Sequence, residues 1–237
     1  MANSYFKFRQ FTIHQEHAAF RITTDSVLLG AWSDLYGVSR VLDVGTGTGI
    51  LALMAAQRCG ASIVALEPDR NSFMQAGLNI TASPWPGRIT ILNRTLQEYL
   101  SDTSLLFDTI ITNPPFFNAS LPNPDLRKAA TRHSLTLTHM GLIEASLRLL
   151  APDGTLQLVL PVSEALKFTA MAGEYSMYCW RRLSVRPTPD LPPARMLMTF
   201  GRKKHDCEET VMVIEKEGRH VYSDEYVSLT RDFYLKF

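Results

Sequence analysis

Residues 41–58 run Val-Leu-Asp-Val, then Gly-Thr-Gly-Thr-Gly, then Ile-Leu-Ala-Leu-Met-Ala-Ala-Gln-Arg. A short apolar run leads through a glycine-rich turn into an apolar segment of helical length. A buried strand that passes straight into a helix constrains the rest of the chain: the helix packs across the sheet and the next strand returns parallel to the first. The first two-thirds of the sequence keeps that rhythm. Residues 40–44, 62–66, 89–92, 108–112 and 155–160 read as five strands. Helices are expected after the first turn, from Pro68-Asp69 to about Ile80, and over 139–150, where Ala151-Pro152-Asp153-Gly154 signals a turn. Beyond Pro161 the rhythm breaks. Residues 180–186, 196–200 and 210–214 read as strands with no helix between the last two, which predicts antiparallel pairing. The expectation is an α/β fold: a mainly parallel sheet, an antiparallel edge and helices on both faces.

A chain of 237 residues fits one such domain: an N-terminal segment (1–39), a core (40–161) and an edge with C-terminal additions (162–237). No apolar run approaches the ~18 residues of a membrane span. The opening MANSYFKFRQF lacks the apolar stretch of a signal peptide. The protein is therefore expected to be cytoplasmic, away from membranes. Cys59, Cys179 and Cys207 are odd in number, widely spaced and without a CxxC pair, so neither a structural metal nor a disulfide framework is expected.

The glycine turn carries the first chemistry. Gly45, Gly47 and Gly49 remove side chains where a ligand must approach the backbone, with Thr46 between the first two. The pattern resembles a dinucleotide fingerprint, but Asp43 would repel a pyrophosphate and could hold a cationic amino group. That favours S-adenosylmethionine over a nicotinamide cofactor. Glu67 closes the second strand 18 residues after Gly49, where a carboxylate suits ribose hydroxyls; the alternative is a helix-start acid ahead of Pro68-Asp69. After the third strand stands Asn93, with Thr95 and Leu96 behind it, as the candidate beside an adenine.

Asn113-Pro114-Pro115-Phe116 carries the second. Asn113 ends the fourth strand, at the carboxyl edge where open α/β sheets bind ligands. The prolines lack N–H groups and leave carbonyls free to accept hydrogen bonds. An exocyclic adenine amine is a poor nucleophile because its lone pair is delocalised into the ring. Hydrogen bonds to the Asn113 amide oxygen and the Pro114 carbonyl would favour a pyramidal nitrogen and free that pair. Phe116 can stack on the base, a contact worth ~1–3 kcal/mol.

With these residues the chain resembles class I S-adenosylmethionine methyltransferases with an amino target, and specifically the bacterial tRNA1(Val) adenine-37 N6-methyltransferases. Phe11 to Gln15, Thr24 to Trp32, VLDVGTGTG, NPPFF, Arg132-His133 and the ending FYLKF carry the resemblance across nearly the whole chain. It implies a Rossmann-like, seven-stranded methyltransferase fold, S-adenosyl-L-methionine as cofactor and tRNA as partner. It also implies that Thr24 and Asp25 close over the cofactor while Asn113 to Phe116 hold the adenine. Thr23-Thr24 stands where Gly-Thr is expected.

For RNA contact, Phe117, Arg132 and His133 lie after the motif, beside and beyond a loop at 118–124. Arg181 and Arg182 open a basic stretch with seven Arg or Lys against one acid through Lys204. A solvated strand edge guarded by charge is the competing reading of that stretch. His14 and His17 read as part of a polar lid, and no metal site is expected. A ribosomal RNA adenine or a protein glutamine offers a similar nitrogen, but glutamine enzymes usually carry a helical domain before the cofactor turn, where only about 40 residues stand here. A non-catalytic cofactor-binding RNA chaperone would have lacked Asn113 or Asp43. A monomer is expected.

Overall fold

The computed structural model describes residues 3–114 and 137–236. A hairpin opens the chain, β1 (Tyr5–Lys7) pairing antiparallel with β2 (Thr12–His14). Helix α1 (Thr24–Trp32) is next, its start capped by Thr23, whose hydroxyl accepts from Ser26 N at 3.4 Å. Then come β3 (Arg40–Val44), α2 (Ile50–Arg58), β4 (Ser62–Leu66), α3 (Arg70–Thr81), β5 (Ile89–Leu92), α4 (Leu96–Asp102) and β6 (Phe107–Thr112). The second half holds α5 (His139–Leu149), β7 (Leu150–Pro161), α6 (Val162–Glu174), β8 (Tyr178–Arg186), β9 (Arg195–Gly201), β10 (Glu208–Val213) and α7 (Asp224–Thr230).

Among the described residues the main sheet has eight strands, in the order β10-β8-β9-β7-β6-β3-β4-β5. That is one more than the seven expected, and the antiparallel edge is built differently. Only β9 runs against the others, between β7 and β8. The turn after β9 does reverse the chain, but both edges of β9 are already paired. β10 therefore crosses the end of β8 and pairs parallel with it, Glu208 opposite Arg181. The expected turn at 151–154 is absorbed within β7, whose pairing to β6 jumps from Phe107–Leu150 to Thr109–Thr155. The crossing of β10 also brings the Cys179 and Cys207 sulfurs to 3.3 Å, both as free thiols.

Strand alternation sends Val41 to one face of the sheet and Leu42 and Val44 to the other. The first face is covered by α1, α2 and residues of the N-terminal segment such as Phe8 and Ile13. The second is covered by α4, α5 and α6. Buried Gln157 on β7 clamps the loop after α1 in both directions: it accepts from Asp34 N and donates to Asp34 O, each at 2.8 Å. Among the described residues no helix is long and apolar enough to cross a membrane.

Candidate active site

At the carboxyl edge of the sheet a cleft of about 350 Å³ opens over the glycine turn. Gly45, Gly47 and Gly49 have φ of 72°, 58° and 86°, the left-handed region that side chains oppose. A Cβ at Gly45 or Gly47 would meet nothing within 4 Å. Both glycines line the cleft, so that space is part of the open cleft. The turn is pinned to its neighbour by Gly45 N and Thr46 N, which both donate to Leu66 O at 2.9 Å.

Glu67 lines the same cleft and is buried. Its Oε2 accepts Gly47 N at 2.8 Å and its Oε1 accepts Asp69 N at 2.9 Å. Each oxygen keeps a second acceptor position. Burial raises the carboxyl to about 7, against the pull of the two backbone donors.

Asn113 and Pro114 also line the cleft, at the end of β6, the strand beside β3. The preceding Thr112 fixes them there by donating its hydroxyl to Val44 O at 2.8 Å, which ties the end of β6 to the end of β3. The cleft thus joins a glycine cradle, a carboxylate acceptor and an amide.

The structure reassigns several residues. Asp43 is fully buried and does not line the cleft; alternation points it under the turn, where Oδ2 accepts the Thr46 hydroxyl at 2.5 Å and Ala52 N at 3.0 Å. Its other oxygen has no partner among the described residues, and burial lifts the carboxyl to about 7. Asp43 braces the turn rather than presenting a charge to an amino group. Asn93 also stays outside the cleft, because its amide nitrogen donates to Glu67 O and Pro68 O at 2.8 and 3.0 Å. Thr95, Leu96 and Gln97 form that wall instead. Thr24 is exposed, while its neighbours Thr23 and Asp25 line the cleft.

Arg181 and Arg182 are not brought to the cleft. They lie three to four residues back from Val185, the β8 residue opposite Arg195, about 10–13 Å along the strand. Arg182 pairs with Glu209 at 2.5 Å, and Arg181 stacks over Trp32 at 4.7 Å with Glu208 at 3.8 Å. The cations that do line the cleft among the described residues are Arg21, Arg94 and Arg195; Arg195 belongs to the basic 181–204 stretch, and the other two were not singled out in the sequence. Arg195 donates from Nε to Asp25 Oδ2 at 2.7 Å, across 170 residues. Pro115, Phe116, Phe117, Arg132 and His133 lie outside the described residues, with the 118–124 loop.

Comparisons with known proteins give the family. The Methyltransferase small domain family matches residues 24–175. A tRNA1(Val) (adenine(37)-N6)-methyltransferase from Bacteroides fragilis is 43% identical over 237 residues, covering 100% of both chains. The chain belongs to this methyltransferase family. A relative of the same name from Trichodesmium erythraeum is 39% identical over 241 residues, again with full coverage. The protein is thus an enzyme of methyl transfer.

Solved structures agree at the level of fold. A predicted O-methyltransferase from Agrobacterium tumefaciens superposes with a TM-score of 0.67 at 18% identity, covering 88% of this chain and 96% of that one. The T. thermophilus 16S rRNA N2 G1207 methyltransferase, solved with AdoMet and guanosine, gives 0.57 at 21% identity, covering 84% of this chain and 50% of that one.

Proposed function

We propose that the protein methylates the N6 amine of adenine 37 in tRNA1(Val), using S-adenosylmethionine, as a cytoplasmic monomeric enzyme of one domain. The observation that carries this reading is the 43% identity, over the full length of both chains, to a relative bearing that name. The donor set supports the cofactor. Open space over Gly47 and the acceptor oxygens of Glu67 fit a ribose laid on the turn, and Thr95 to Gln97 form the wall that would flank its adenine. When bound, the sulfonium supplies an activated methyl group.

The chain's own residues then have positioning work. Asn113 Oδ1 and the Pro114 carbonyl would accept hydrogen bonds from the two amine N–H groups, which would hold the nitrogen lone pair toward the methyl group. Pro115 and Phe116 complete the motif, with Phe116 stacking on the base. No strong base would be needed, because an amine that has gained a methyl group carries positive charge and would lose its proton to water. Phe117, Arg132 and His133 are proposed as RNA contacts together with Arg21 and Arg94 at the cleft.

A substrate competition tests this reading. The enzyme is given labelled cofactor with a tRNA1(Val) transcript, the same transcript carrying guanine at position 37, ribosomal RNA and a glutamine-bearing protein. Label in the first alone supports the reading. Equal label in the guanine transcript, or label chiefly in ribosomal RNA or protein, overturns it.

A further inference from the structure

Helix α3 carries a buried polar stripe that the chemistry above does not use. Ser72, Gln75 and Asn79 recur at i, i+3 and i+7 and so share one face. Each accepts a backbone N–H from the N-terminal segment: Ala19 N to Ser72 Oγ at 3.0 Å, His17 N to Gln75 Oε1 at 3.3 Å and His14 N to Asn79 Oδ1 at 2.9 Å. The rungs run in reverse chain order, so residues 14–19 lie antiparallel along the helix. A segment laid beside a helix has its donors satisfied by side chains rather than by a strand ladder. Gln15 folds the next stretch back, accepting Ile22 N at 3.0 Å.

Both ends of this ladder reach the cleft. Asn79 Nδ2 donates to His14 O at 2.8 Å and to Thr48 O, in the glycine turn, at 2.9 Å. At the other end Ser72 N is held by Asp69 Oδ1 at 2.8 Å, and Asp69 N by Glu67 Oε1 at 2.9 Å. The strap then delivers Phe20, Arg21 and Thr23 to the cleft wall.

We propose that Ser72, Gln75 and Asn79 are positioning residues for cofactor binding. They hold the 14–23 strap in the geometry that walls the cleft, so that affinity for the cofactor depends on backbone donors far from it in sequence. This rests on reading the cleft as the S-adenosylmethionine site. A ladder that only stabilised the fold would lower the melting temperature without moving affinity in the protein that remains folded.

Gln75 is the rung to test, since Asn79 also holds the glycine turn. Titration calorimetry with S-adenosylmethionine on the full chain should show Gln75→Leu weakening Kd about tenfold, equivalent to ~1.4 kcal/mol. His17→Pro, which removes that N–H together with the side chain and fixes the local backbone, should cost at least as much, and the double variant no more than His17→Pro alone. His17→Ala keeps the N–H and should bind as the native chain does. Saturated kcat should stay within twofold throughout. Ser72→Ala, which deletes one oxygen, supplies a second rung should Gln75→Leu misfold. Hydrogen exchange gives a readout without cofactor: amides of residues 16–22 should exchange faster in Gln75→Leu and Ser72→Ala. Unchanged Kd in these variants, whether or not exchange is faster, or additive losses in the double variant, would overturn the proposal. A native chain that fails to bind the cofactor, with exchange still accelerated in the variants, would sink the cofactor reading and leave the ladder standing.

Discussion

Gly47 donates its backbone N–H to Glu67 Oε2 at 2.8 Å, joining the turn after β3 to the carboxylate after β4. The two halves of the proposed cofactor cradle are thus bonded to each other in the protein itself. A carboxylate already oriented by Gly47 and Asp69 loses little freedom when ribose hydroxyls arrive. Replacing Glu67 with Gln should weaken cofactor binding on the order of 10- to 100-fold, the value of a charged hydrogen bond. Calorimetry reads this directly.

Protonation of the same group gives a pH dependence. Its carboxyl lies at about 7 in the protein. Only the ionised form accepts from ribose with both oxygens, so cofactor affinity should fall as pH drops from 8 to 6 and should be nearly flat in Glu67→Gln. Binding measured across that range decides it. An affinity that rises on acidification contradicts the assignment.

Stability should move the other way. Asp43 titrates at about 7 when folded against an ordinary value of 3.8, because burial disfavours its charge. A folded pKa above the unfolded one means the folded state binds the proton more tightly. The resulting stability is fully present below about pH 4 and is lost as pH rises through 7. Glu67 adds in the same sense. The melting temperature of the cofactor-free protein should therefore drop more between pH 5 and 8 in the native chain than in Asp43→Asn.

Gly47→Ala should weaken cofactor binding while leaving the fold in place. The position has φ of 58°, and the new methyl would enter open cleft space rather than the core. Near-native circular dichroism with Kd raised at least about tenfold is the expected pair of results.

Much of this was legible in the sequence because the signals were local. Five short apolar runs with glycine or proline boundaries marked the parallel core, and an Asn-Pro at the end of the fourth strand marked a stretch that lines the cleft beside the glycine turn. The strap was invisible for the opposite reason. Its donors are backbone N–H groups and its acceptors are side chains 53 to 65 residues away. Arg195 reaches Asp25 only because β9 is inserted beside β7, an insertion that no run of residues announces. Asp43 is different. Alternation along β3 puts it on the face of Val41, beneath α2, and that rule alone is enough to remove it from the cleft. The basic stretch was legible only in part, because charge density says nothing of partners: Glu208 and Glu209 answer Arg181 and Arg182 one strand away, while Arg195 of the same stretch lines the cleft.

RNA affinity should track the cleft rather than that stretch. Arg21→Ala and Arg94→Ala should each weaken tRNA binding severalfold and reduce its salt dependence. Arg181→Ala and Arg182→Ala should lower the melting temperature with smaller effects on RNA. Filter binding at two salt concentrations separates the two pairs.

On the proposed chemistry, one cleft holds both the methyl donor and, through Asn113, the amine that receives the methyl group. The direct measurement is nucleoside mass spectrometry on bulk tRNA incubated with S-adenosylmethionine and either the native protein or Asn113→Ala. New N6-methyladenosine is expected with the native protein, with a rate reduced on the order of 10²- to 10³-fold in the variant and equal cofactor affinity in both. Equal methylation by the two proteins, or a product other than N6-methyladenosine, would contradict it.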